Sequence, residues 1–206
     1  MVMPRSRSSA RAGISLLELM IVLAMLAVIA SKLATVVQVS NKVVADDTQR
    51  MAIEDQARVV VDRICDSLKS SDRTSITPVL TPQGSSQIDF RYSMGWEDGE
   101  TVWSELHRIA LDPDSPSDLY WRRDPEADDE LAVIWSRSVE DLLEGEVENG
   151  IDDNGNGLVD ESGLSIVVEG NLLTILLSLG TTLRGDERVE TTIERTLTIR
   201  NRPVDA

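Results

Sequence analysis

Residues 14–30 read ISLLELMIVLAMLAVIA, a run of 17 in which only Ser15 and Glu18 are polar. Apolar character resumes after Lys32 as LATVVQV. A helix over this stretch reaches the lower limit for crossing a bilayer core of about 30 Å. Past Asn41 the pattern changes. Ile53, Ala57, Val60, Val61, Ile64 and Leu68 recur at steps of three and four, with Arg50, Glu54, Asp55, Arg58, Asp62 and Arg63 between them. That spacing predicts an amphipathic helix with one apolar stripe. It should fade near Ser70, Ser71 and Asp72. Residues 75–86, SITPVLTPQGSS, are turn-rich and read as a loop.

Beyond the loop the period falls towards two. Residues 87–93 alternate, with Ile88, Phe90 and Tyr92 on one side. Residues 101–111 alternate imperfectly, 119–122 form a short strand, and 131–135 are an apolar run that alternation alone does not assign. Segments 164–168, 172–178 and 189–200 predict a closing antiparallel meander. The acidic stretch 124–130 (DPEADDE) reads as a solvated loop. One long helix followed by strands predicts an α+β fold. It comprises a membrane-spanning helix at 14–44, an amphipathic continuation at 45–72 and a β-rich head at 73–206.

Charge narrows the setting. The formal net charge is −16, and Arg5, Arg7 and Arg11 all precede the first acid, Glu18. An acidic surface repels phosphate backbones, which argues against nucleic acid as a partner. It suits an extracytoplasmic domain or one that attracts cations. The basic N-terminal residues favour a cytoplasmic N-terminus. Cys65 is the only cysteine, so no intrachain disulfide forms. It falls on the apolar stripe and reads as a small buried hydrophobe. His107 is the only histidine, which excludes a His-rich zinc site within one chain. Trp96, Trp103, Trp121 and Trp135 read as core or strand residues, with a binding patch as the other option.

Three readings fit the N-terminus. A secretory signal peptide would be cut after Val28-Ile29-Ala30, leaving Ser31 first. A plain signal anchor would be kept. Both leave Glu18 unexplained, because a carboxylate in hydrocarbon is costly and usually partnered. The third reading rests on Gly13-Ile14-Ser15-Leu16-Leu17-Glu18, which resembles the cleavage site of type IV prepilins and type II secretion pseudopilins. The resemblance implies a 1–13 leader, cleavage after Gly13 by prepilin peptidase on the cytoplasmic side, and N-methylation of Ile14. The +1 residue departs from the commoner Phe or Met. Cleavage would leave a positive amine at Ile14, and Glu18 of a neighbouring subunit would meet it. A buried charge left unpaired costs several kcal/mol, so pairing would select the filament register. The implied fold is a long helix packed on an antiparallel sheet. The implied partners are prepilin peptidase, other pilins or pseudopilins through the N-terminal helix, and the bacterial inner membrane, with the head periplasmic. Phe90-Arg91-Tyr92, Leu106-His107-Arg108 and Arg200-Asn201 further resemble the J-type minor pseudopilins.

Residues 149–161, NGIDDNGNGLVDE, hold a second pattern. From Asp152 they read D-x-N-x-N-G-x-x-D, placing oxygens of Asp152, Asn154 and Asn156 inside a tight turn at Gly157. The Leu158 carbonyl and the Asp160 carboxylate follow. Such oxygens suit Ca²⁺ as a structural cofactor. An EF-hand carries a bidentate Glu at position 12, whereas here that position is Gly163 and Glu161 stands at position 10. Glu161, or an upstream residue such as Glu148, would complete the shell. An Asn/Gly turn without metal fits the same residues.

No enzyme is expected. Gly-x-Ser-x-Gly, a phosphate-binding Gly-Lys loop and Cys-x-x-Cys are absent from the sequence. The expectation is a structural minor pseudopilin or pilin subunit. The rival is a calcium-binding module, secreted or membrane-anchored, with an ordinary signal peptide.

Overall fold

A computed structural model describes residues 15–71, 75–77, 84–125, 127, 129–183 and 186–199. Gly13, Ile14, Arg200 and Asn201 lie outside them. The chain divides into two units, Met1–Ala45 and Asp46–Ala206. Helix α1 (Leu16–Lys69) contributes residues to both.

In the first unit the described residues are helical from Leu16 onward, and through Val44 every side chain is exposed. Leu16 is 78% exposed, Ile29 65% and Val36 63%. By length and composition α1 is apolar enough to cross a membrane. It is the one such helix among the described residues.

The second unit is built on the remainder of α1. Ile53, Ala57, Val60, Val61, Ile64, Cys65 and Leu68 are all buried, and the charged residues between them face outward. The stripe forms because steps of three and four keep one face of a 3.6-residue turn apolar. Ser71 closes the last turn, its hydroxyl donating to the Leu68 carbonyl at 2.6 Å.

Nine strands are described: β1 (Gln87–Phe90), β2 (Ser93–Glu97), β3 (Glu100–Trp103), β4 (His107–Leu111), β5 (Leu119–Arg123), β6 (Leu131–Ser136), β7 (Leu164–Glu169), β8 (Leu172–Thr182) and β9 (Arg188–Thr198). They make a four-stranded sheet in the order β1-β4-β5-β6, a β2-β3 hairpin and a three-stranded β7-β8-β9 sheet. All the pairings are antiparallel. The helix stripe shares one hydrophobic core with Ile88, Phe90, Ile109 and Leu119 of the first sheet and Leu164, Leu173, Ile175 and Leu177 of the third. Fully burying each such side chain is worth about 1.5–3 kcal/mol. The fold is therefore α+β.

Strand boundaries differ from the expected ones, and β8 runs on to Thr182, past the expected end at 178. The 87–93 segment breaks at Arg91, and a new hairpin begins at Ser93. Asp98 and Gly99 hold its turn with φ of 51° and 87°, the left-handed pair that a two-residue hairpin requires. The 101–111 segment is two strands, separated where Ser104 donates its amide to Tyr92. The unassigned run at 131–135 is strand β6. The described ends of segment 75–86 are both tied to strands. Thr77 and Asp89 exchange backbone bonds of 3.0 and 2.7 Å, and Ser85 and Ile166 exchange bonds of 3.1 and 2.9 Å.

Candidate functional site: an acidic loop and an uncovered helix

Two places carry the chemistry read from the sequence. The first is Glu18. It lies in the first turn of α1 and is exposed, among exposed Leu16, Leu17, Leu19 and Met20. The amino end of a helix favours a negative charge. Gly13 and Ile14 fall outside the described residues, so the processing site has no geometry to report.

The second is the loop at 149–161. Asp152 organises it. Its Oδ1 accepts the amides of Gly155 at 2.6 Å and Asn156 at 3.1 Å, and its Oδ2 accepts that of Gly157 at 2.9 Å. Asn154 Oδ1 accepts the Asn156 amide and Asn156 Oδ1 accepts the Leu158 amide, both at 2.9 Å. Gly157 has φ of +90°, a conformation that L side chains rarely adopt, as the sequence reading required. Asp160 is engaged at the loop's base, where its carboxylate accepts the amides of Asn149 and Gly150 at 2.8–3.1 Å.

Beneath the loop the chain doubles back. Leu143 donates its amide to the Glu161 carbonyl at 3.0 Å, and Gly163 donates to Asp141 at 3.2 Å. This clasp buries two carboxylates. Glu161 is 0% exposed, and neither side-chain oxygen has a hydrogen-bond partner. Glu146 is 8% exposed. Its Oε1 accepts the Asn154 amide at 3.0 Å, while its Oε2 is buried without a partner. Burying an ion without compensation costs several kcal/mol.

The departure from the EF-hand pattern has a steric cause. A Cβ on Gly163 would overlap the Glu140 carbonyl oxygen and stand 2.8 Å from the carbonyl carbon. No side chain fits at position 12, and the buried carboxylate stands two residues earlier. The upstream acid differs from the expected one: Glu148 is exposed, whereas Glu146 is buried against Asn154. The run Glu144, Glu146, Glu148 holds no local signal that separates the three. Among the described residues, no three Asp, Glu, His or Cys side chains converge closely enough to hold a metal by themselves. Any oxygen shell here must therefore draw on Asn amides and backbone carbonyls as well.

The remaining singled-out residues sort by burial. Cys65 is buried and free, and burial pushes its thiol pKa up. His107 is 2% exposed, stacked with Phe90, Tyr92 and Trp121, and burial pushes its imidazole pKa down. Trp121 and Trp135 stack on each other and pack against the core. All four tryptophans lie on strands, and Trp96 and Trp103, on the β2-β3 hairpin, stand outside the core at 72% and 40% exposed. No protein-family model, curated protein or solved structure matches this chain.

Proposed function

We propose that the chain is a structural subunit of a type IV pilin-like filament, either a secretion pseudopilus or a type IV pilus. In this reading prepilin peptidase cuts after Gly13, Ile14 becomes the methylated N-terminus, and the helix from Ile14 packs among those of other subunits in the inner membrane. The β-rich unit is presented on the periplasmic side. Assembly is its work, and no catalytic residue is assigned.

Glu18 carries the proposal. It is the one carboxylate in residues 16–44 of α1, a stretch whose side chains are all exposed. A surface of that size marks a contact with lipid or protein, and the charge calls for a partner inside it. The N-terminal amine of a neighbouring subunit supplies the opposite sign. The lone buried Cys65 also fits a minor subunit better than a major pilin, which usually closes a C-terminal loop with a disulfide.

Mass spectrometry of the mature N-terminus, in cells with and without prepilin peptidase, tests the reading. A methylated start at Ile14 that depends on the peptidase supports it. A start at Ser31 overturns it in favour of an ordinary signal peptide. Glu18→Ala should leave cleavage intact and impair filament incorporation.

A further inference from the structure

We propose that residues 146–161 form a calcium site in which the buried carboxylates of Glu146 and Glu161 complete a shell begun by Asp152, Asn154 and Asn156. Lone pairs support the assignment. Asp152 Oδ2, Asn154 Oδ1 and Asn156 Oδ1 each accept one backbone amide, which leaves each a further pair for a cation. Glu146 is aimed at the loop by its bond to Asn154, and its other oxygen is buried and unpartnered. Glu161 has two such oxygens. A buried carboxylate with no protein donor in reach is satisfied by a proton, a water or a cation. Asn amide and carboxylate oxygens together are a hard-donor set, which selects Ca²⁺ over soft metals.

Charge adds to the case. A chain of net charge −16 still buries these two acids, with three of their side-chain oxygens unpartnered. Hydrophobic burial gives no reason to do so, whereas a divalent cation does. Asp160 has a separate role, holding the turn at Asn149 and Gly150. The carboxylates do not yet converge on one point, so binding closes the shell by side-chain rotation. That reorganisation sets a weak affinity, about 10⁻⁴–10⁻³ M, in the range of extracellular calcium modules.

The test is thermal unfolding of the full-length protein in detergent, first stripped with EGTA. Calcium at about 5 mM should raise the melting temperature by about 4 °C. Magnesium at the same concentration should leave it nearly unchanged, which separates a site from general screening of an acidic chain. Glu161→Gln should melt at or above wild type without calcium, because a neutral amide replaces a buried charge. The same variant should need at least about tenfold more calcium for any rise. A merely structural glutamate would lose stability in both conditions. Asn156→Ala, on the exposed turn, is the second variant and should weaken the calcium response without touching the core. The proposal is overturned by no calcium shift, by an equal magnesium shift, or by an undiminished response in Glu161→Gln or, should that variant not fold, in Asn156→Ala. A mature start at Ser31 would leave the site standing, so the two proposals fail separately.

Discussion

Gly163→Ala should be among the most damaging single-methyl additions in the second unit. The new Cβ would overlap the Glu140 carbonyl oxygen and stand 2.8 Å from its carbonyl carbon and 3.1 Å from its nitrogen, where ordinary contacts begin near 3.4 Å. The obstacle is backbone and cannot rotate away. Retreat of Glu140 would stretch the bond from its amide to the Ser178 carbonyl, now 3.0 Å, and that from Gly163 to Asp141, now 3.2 Å. Glu140 and Ser178 are both buried, so a freed group finds no water. Overpacking costs about 1–3 kcal/mol, and a buried backbone group left unpaired about as much again. The expected loss is about 2–5 kcal/mol, or about 5–15 °C in melting temperature. Gly99→Ala is the comparison. Nothing lies within 4 Å of a Cβ there, and only its φ of +87° opposes a side chain, at about 1–2 kcal/mol. Circular dichroism melts of both variants decide the matter. The steric reasoning is refuted if Gly163→Ala melts within about 2 °C of wild type, or above Gly99→Ala.

Asp89 and Arg108 are direct cross-strand partners, joined by two bonds of 2.8 Å with Asp89 9% exposed. Asp89→Ala should cost about 2 kcal/mol, and a double-mutant cycle with Arg108→Ala that returns coupling below about 0.5 kcal/mol would contradict this. His107→Phe should flatten the acid side of the stability profile. Burial lowers the His107 pKa below the ordinary 6.5, so the unfolded chain takes up the proton first. The stability is present above about 6.5 and is lost as pH falls through the lowered folded value. Denaturant midpoints at about pH 7 and about pH 5 check this, and an equal fall in both proteins would refute it.

Periodicity made the helix legible. The six stripe positions read from Ile53 to Leu68 are all buried, because a 3.6-residue repeat leaves no freedom about which face is apolar. Short strands were less legible. The Asp98-Gly99 pair is a strong hairpin signal, yet Met94 and Trp96 stand exposed on β2, and alternation around a core does not describe a strand with no buried side. The turn was legible at Asp152, Asn154, Asn156 and Gly157, where side-chain bonds to amides two to five residues on follow from local sequence spacing. Glu146 was not, because its burial depends on Leu143 meeting Glu161 across a long sequence gap. Gly163 looked like a missing ligand, and only the approach of Glu140 shows why no side chain stands there.

The sheet topology also bears on how fast this protein reaches its native state. Each strand pairing except β1-β4 joins strands that are neighbours in sequence. Closing such short loops costs little chain entropy, and pairing between sequence neighbours forms sooner than pairing across distant segments. The β7-β8-β9 meander can zip up before the four-stranded sheet is complete. The bridges from Ser85 to Ile166 and from Val139 to Leu179 then join two preformed pieces. A brief search shortens the time for which Leu173, Ile175 and Leu177 face other unfolded copies, which is when β-rich chains aggregate.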